Sequence, residues 1–159
     1  MMELKKISTD SIKAALDLAE RYRLLNEPEQ AVSICRDVLI AEPGNERAMK
    51  ALLLAMTDQF GQKRAPSLDE ARELAASLMT DYDRAYYGGI VLERWGRAML
   101  QDETKATLAT NWLLSAMESY EKAEEYRPPG NDSAILRWNA CARMLSQLPQ
   151  RAASLEFGD

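Results

Sequence analysis

The most constraining feature of this sequence is a pattern of small and aromatic residues that ends in a proline and occurs twice. Its members are separated by four, three and five positions. Steps of three and four positions place side chains on one face of a helix, and proline ends a helix. Two copies of one helix-ending pattern predict a helical repeat in which neighbouring helix pairs stack. The copies are Ala31, Cys35, Val38 and Pro43, and Ala116, Tyr120, Ala123 and Pro128.

Apolar residues at similar steps elsewhere predict seven helices, and few β-branched runs interrupt them. The side chains of Asn45 and Asp81 are predicted to cap the third and fifth helices. Ser67 and Glu70 have the spacing of a capping box at the start of the fourth helix. The predicted starts lie near Ser8, Pro28, Asn45, Ser67, Asp81, Lys105 and Asp132.

The chain has 159 residues, enough for one domain with its own core. We expect a flexible lead-in over 1–7, a single helical domain over 8–147 and a flexible tail over 148–159. The beginning of the chain lacks the apolar segment of a secretion signal, and no apolar run approaches the about 20 residues that span a bilayer. These features predict a cytoplasmic protein without membrane insertion.

Few side chains in this sequence are suited to catalysis or metal binding. The chain contains no histidine, which excludes histidine-based catalysis and the commonest imidazole metal ligand. Cys35 and Cys141 lie in apolar helical patterns, which favours buried thiols in a reducing compartment over a disulfide or a metal pair. A net charge of −5 at pH 7 disfavours nucleic acid as a partner. We therefore expect no catalytic residue, metal or cofactor, and no enzymatic activity.

Taken together, the patterns resemble the tetratricopeptide repeat (TPR), a 34-residue helix pair with small, aromatic and proline positions. The resemblance covers roughly residues 10–147. It implies an all-α, right-handed α-solenoid of antiparallel helix pairs, with about three TPR-like repeats and a capping helix that contains Trp138. Besides the two proline-ended copies, the resemblance depends on Ala15, Leu18, Ala19, Tyr22, Leu52, Leu53, Met56, Ala71, Leu78, Tyr87, Gly88 and Val91.

The spacing predicts that the third helix pair is elongated. Pro43 and Pro128 are 85 positions apart, whereas two repeats would separate them by about 68. We place most of the surplus around Asp102, because the apolar stripes continue on both sides of that turn. Gly88 and Gly89 lie within the fifth helix, where each costs about 1 kcal/mol relative to alanine. A neighbouring helix is therefore expected to approach closely at these glycines.

The TPR resemblance also implies a concave, peptide-binding face. Four of its positions on the first and third helices are basic and one is acidic, which favours an acidic or carboxylate-ended peptide. Ordinary solvated surface charge is the alternative interpretation. Some TPR proteins bind chaperone C-termini through a lysine and an asparagine. Leu16 and Glu20 occupy those positions in the first repeat here, so this clamp is not reproduced. The implied ligand-facing residues are Lys13, Leu16, Glu20, Arg23, Arg47, Lys50, Leu54 and Thr57.

The predicted function is protein–protein interaction, as an adaptor or scaffold that binds a peptide or helix of a partner. One alternative is a self-associating subunit whose long third hairpin supplies an oligomer interface around Trp95, Leu108 and Trp112. Trp95 and Trp112 also fit simple core packing. A second alternative is a secretion or assembly chaperone, some of which resemble a three-repeat domain of this length.

Overall fold

The computed structural model describes residues 1–148, and this part of the chain contains helices and no strands. The predicted all-α class is confirmed, and seven α-helices occur where seven were predicted. Most of the predicted tail, residues 149–159, lies outside the described residues. The helices are α1 (Ile12–Leu24), α2 (Pro28–Ala41), α3 (Glu46–Thr57), α4 (Leu68–Ala76), α5 (Asp81–Met99), α6 (Ala106–Glu125) and α7 (Ser133–Gln147), with 3₁₀ turns at Thr9–Ser11 and Glu103–Lys105.

Local side-chain caps fix two of these helix starts as predicted. The backbone N–H of Ala48 donates to Oδ1 of Asn45 at 2.8 Å, at the start of α3. At the start of α4, the backbone N–H of Glu70 donates to Oγ of Ser67 at 3.1 Å. Each bond satisfies a backbone donor that has no partner within its own helix.

The prediction that Asp81 caps α5 is wrong by one position. Thr80 is the N-cap residue, in extended conformation, and its Oγ1 accepts a hydrogen bond from the backbone N–H of Asp83 at 3.0 Å. Asp81 is instead the first helical residue, and its carboxylate pairs with Arg84. A threonine hydroxyl can cap a helix as an aspartate can, so the preceding Thr80 takes that role.

The region predicted as one domain divides into two compact units, one over Met1–Leu74 and a second that begins at Ala75. In the first unit, α1 packs against α2 and α2 packs against α3. Ala31, Cys35 and Val38, three members of the earlier pattern copy, are completely buried on α2. These small side chains allow neighbouring helices to approach closely around one core.

In the second unit, α5 packs against α6 along its length, and α6 packs against α7. Ala116, Tyr120 and Ala123 from the later pattern copy are completely buried on α6. The predicted elongation is confirmed, because α5 and α6 have 19 and 20 residues whereas α1 and α2 have 13 and 14. At about 3.6 residues per turn, each helix of the longer pair gains roughly two helical turns.

The two adjacent glycines of α5 differ in their surroundings. A Cβ atom at Gly89 would lie 2.6 Å from Cε1 of Tyr120, which is too close for a stable contact. A Cβ atom at Gly88 would meet no atom within 4 Å. The predicted close approach is therefore confirmed at Gly89 and wrong at Gly88. A second close approach occurs at Gly96, where a Cβ atom would lie 3.2 Å from the backbone oxygen of Ala109.

Replacing each glycine by alanine should separate helix propensity from packing. Gly88→Ala should stabilise the protein by about 0.5–1 kcal/mol, because alanine restricts the unfolded chain and meets no obstacle in the helix. Gly89→Ala should destabilise it by about 1–3 kcal/mol, because the ring of Tyr120 or the α5 backbone must move. Urea unfolding of both variants measures the difference. Effects of the same sign would contradict this account.

Candidate functional site

The predicted binding positions of the first unit lie on α1 and α3, and these two helices are in contact. Arg47 on α3 joins them by ion pairs. Its Nη2 donates to Oδ1 of Asp17 at 2.7 Å and to Oε1 of Glu20 at 2.9 Å, and its Nε donates to the same Glu20 oxygen at 3.2 Å. Glu20 and Arg47, assigned to a common face by the TPR resemblance, are thus in direct contact.

A second ion pair joins α1 to the residue that follows α3. Nε of Arg23 donates to Oδ2 of Asp58 at 2.7 Å, and Nη2 donates to Oδ1 at 3.2 Å. This two-point geometry matches a guanidinium to a carboxylate. We name the surface formed by Lys13, Asp17, Glu20, Arg23, Arg47, Lys50, Leu54 and Asp58 the α1/α3 face.

Two predicted ligand-facing residues are buried and are not part of that face. Leu16 continues the buried stripe of α1 that contains Ile12 and Ala19. Thr57 is also buried, and its hydroxyl donates to the backbone oxygen of Leu53 at 2.9 Å. The backbone bond satisfies the hydroxyl and allows a threonine to lie in the core. Among the remaining positions, Lys13 is exposed, whereas Lys50 and Leu54 are half-buried.

The electrostatics of the α1/α3 face differ from the predicted excess of positive charge. Asp17 and Asp58, which the sequence analysis did not place on this face, bring carboxylates to Arg47 and Arg23. The hydrogen bond from Arg47 lowers the pKa of Asp17, and the bond to Asp17 raises the pKa of Arg47. The α1/α3 face therefore carries nearly balanced charge, and the hydrogen bond between Asp17 and Arg47 favours the ionised form of both side chains. Only the spacing of Asp17 and Glu20 on one side of α1 could have indicated this pairing.

A buried carboxylate organises the second unit. Glu93 on α5 is buried, and its Oε1 accepts from the hydroxyl of Tyr120 at 2.9 Å and from Nε of Arg137 at 3.1 Å. Its Oε2 pairs with Nη2 of Arg137 and with Nη1 of Arg97, the latter at 3.5 Å. These contacts join α5, α6 and α7. Because both carboxylate oxygens are paired with side chains of the second unit, we assign Glu93 a role in helix packing.

The Glu93 cluster shifts the acid–base properties of its partners. Burial, followed by the charge of Glu93, raises the pKa of Tyr120 far above its usual value. The hydrogen bond to Glu93 raises the pKa of Arg137. The sequence analysis missed Glu93, although it lies four positions after Gly89 and three before Gly96 on one helical stripe. A charged residue between two such glycines is the signal that could have identified it.

No protein-family model, curated protein or solved structure matches this chain. The functional interpretation therefore depends on the residues and their geometry. Within residues 1–148, no helix combines the length and apolar character needed to cross a bilayer. The same residues contain no group of three His, Cys, Asp or Glu side chains arranged to hold a metal ion.

Both cysteines are free and buried, as predicted. Burial raises the pKa of Cys35 to about 11. Burial and the charge of Glu93 raise the pKa of Cys141 to about 12. Since the thiolate is the reactive form, neither side chain is a nucleophile near neutral pH.

The predicted oligomer-interface residues lie at one end of the α5/α6 pair. Leu108 is 52% exposed, and Trp95 and Trp112 are half-buried. The Cβ atom of Trp112 lies 3.2 Å from the position that a Cβ atom at Gly96 would occupy. The structure therefore brings Trp112 against the segment of α5 that contains Trp95, with Leu108 one turn away on α6.

At the start of α5, the second unit has an open cleft of about 500 Å³. It was not predicted from the sequence. Two carboxylates in its lining disfavour an anionic ligand. The lining residues are Thr80, Asp81, Tyr82, Asp83, Tyr126, Pro128 and Asn131.

Removing the arginine that pairs with Glu93 should test the role of the buried cluster. Arg137→Met should lower the free energy of unfolding by roughly 2–4 kcal/mol, because it leaves a buried carboxylate with weaker compensation. This range lies below that of a fully buried pair because the Arg137 side chain is 35% exposed. Arg143→Met, an exposed arginine on the same helix, is the matched control and should have little effect. Equal losses in urea unfolding would contradict a specific role for Arg137.

Proposed function

We propose that this chain is a non-enzymatic protein-interaction module, an adaptor or scaffold that binds a peptide or helix of a partner on the α1/α3 face. Two ion pairs support this most directly. Glu20 on α1 pairs with Arg47 on α3, and Arg23 on α1 pairs with Asp58, the residue that follows α3. The TPR resemblance assigns Glu20, Arg23 and Arg47 to one ligand-binding face. Ion pairs across α1 and α3 provide a mechanism for holding these residues on a common surface.

The TPR-like architecture is part of the same proposal. It is supported by the packing of α1 on α2 and of α5 on α6, and by burial of the three residues that precede the proline in each copy of the repeat pattern. In this interpretation the two packed pairs are the first and third repeats, α3 and α4 supply the second, and α7 is the capping helix. The right-handed solenoid of about three repeats follows from the sequence resemblance.

The proposed mode of action is recognition without bond chemistry. An extended segment or a helix of the partner contacts the α1/α3 face, and the charged side chains select it. The chain has no histidine, and its two thiols are buried and protonated near neutral pH. These features support binding over catalysis. The partner class that we propose is an acidic or carboxylate-ended peptide, attracted by Arg47 and the lysines beside it.

Neutralising two cations of the face should weaken capture of an acidic peptide. With fluorescein-labelled octaglutamate as the probe, Arg47→Gln combined with Lys50→Gln should lower affinity by about tenfold, equivalent to about 1.4 kcal/mol. The matched control combines Arg36→Gln with Lys63→Gln, which removes the same charge from exposed positions outside the face. Fluorescence anisotropy measures binding, and circular dichroism checks that helicity is kept. Equal affinities of the two variants would argue against this face as the binding site.

A second candidate function is self-association through the end of the α5/α6 pair. The exposed Leu108 beside two half-buried tryptophans supports it, because apolar side chains grouped at a surface favour protein contact. Trp95 and Trp112 would form the centre of such an interface and Leu108 its edge.

Light scattering over a range of concentrations tests self-association. The average mass should rise with concentration, and Leu108→Glu should keep the chain monomeric because it places a charge in the contact. Leu136→Glu is the matched control, because Leu136 is an exposed leucine on α7. A constant monomer mass for the unmodified chain would exclude this function.

A further inference from the structure

We propose that Asp17 and Glu20 are internal competitors for Arg47, and that an acidic partner must replace their carboxylates to bind. This inference rests on the proposed function of the α1/α3 face. It assigns a specificity-determining role to two acidic residues on a face whose basic residues are proposed to bind the partner. It also specifies the partner more narrowly, as a segment with at least two neighbouring carboxylates.

The hydrogen bonds of Arg47 carry the argument. Its Nη2 is shared between Asp17 and Glu20, and its Nε donates to Glu20. Among the described residues, no acceptor binds the remaining nitrogen, Nη1. The Nε–Nη2 side of the guanidinium is therefore already occupied by the chain's own acids, and on the other two-point side, Nη1–Nη2, the Nη2 atom is likewise engaged. An incoming peptide meets two negative charges in front of the cation that would bind it.

The exposure of these side chains allows exchange. Side-chain exposures are 41% for Arg47, 54% for Asp17 and 52% for Glu20. Exposed ion pairs contribute little net stability, because water solvates the separated charges well. Carboxylates of a partner can therefore replace the internal ones, which turn towards solvent. A partner with one carboxylate replaces only part of the contacts and still faces a like charge, whereas two neighbouring carboxylates can replace both.

The other ion pair of the face provides an internal comparison. Arg23 and Asp58 form two parallel hydrogen bonds, and their side-chain exposures are 23% and 25%. The better geometry and deeper burial hold this pair together more firmly. Arg23 therefore serves as a structural connection between α1 and α3, while Arg47 is the cation available for exchange.

The test measures the affinity of fluorescein-labelled octaglutamate at constant ionic strength. Asp17→Asn combined with Glu20→Gln should tighten binding roughly three- to tenfold, because two competing charges are removed while similar shapes are kept. Glu27→Gln combined with Glu29→Gln is the matched control, with the same change in net charge at exposed positions on or beside α2. It should tighten binding less than about twofold, by long-range attraction alone. Asp17→Asn alone should have an intermediate effect, and it keeps the Glu20 contact if the double variant folds poorly.

A further substitution identifies the cation that is released. Arg47→Gln should cost more affinity in the Asp17→Asn, Glu20→Gln background than in the unmodified chain, because Arg47 is then free to bind the probe. If binding depends on Arg47 and Lys50 but the acidic double variant behaves like its control, the inference is wrong and the proposed function stands. Weaker binding by the acidic double variant would also overturn the inference. Failure of both the unmodified chain and this variant to bind octaglutamate would overturn the inference and the acidic-peptide function together.

Discussion

Close helix contact through small residues is the constraint on which both units depend. In the first unit, Ala19 and Ala31 are completely buried where α1 and α2 pack. In the second unit, the absent side chain at Gly89 leaves room for the ring of Tyr120. A small residue buries less apolar surface than a large one, and a glycine also has a lower helix propensity. The compensation is a short interhelical distance, which lets larger neighbours such as Tyr120 become completely buried.

The two ion-pair clusters show how burial decides the role of a charged residue. Glu93 is enclosed by three helices, so separating it from Arg137 would leave a carboxylate without adequate solvation. Asp17 and Glu20 remain in contact with water on the α1/α3 face, so separating them from Arg47 exchanges one solvated arrangement for another. The same pair of residue types therefore fixes helix positions in the second unit and leaves a choice of partners in the first.

Local rules account for most of what could be predicted from this sequence. Asn45 and Ser67 cap helices because their side chains reach backbone groups three positions away, and such contacts are visible in the sequence. The pairing of Arg47 with Asp17 and Glu20 depends on how α1 and α3 are placed in space, so cation counting overestimated the positive charge of the face. Leu16 and Thr57 were wrongly assigned to the ligand-facing surface for a related reason. A repeat pattern locates the exposed face of a helix only to within about one residue. Glu93 was missed because two of its partners, the Tyr120 hydroxyl and the Arg137 guanidinium, are 27 and 44 positions away.

The contacts of Tyr120 with Gly89 and Glu93 on α5 restrict how α6 can shift along that helix. The Tyr120 ring lies over Gly89, and its hydroxyl reaches Glu93, one helical turn further on. A shift of α6 by one turn, about 5.4 Å, would remove the ring from the glycine and the hydroxyl from the carboxylate together. No single-turn displacement restores both contacts, so the long pair has one favoured axial register. Tyr120 thus gives the two long helices a fixed relative position along their axes.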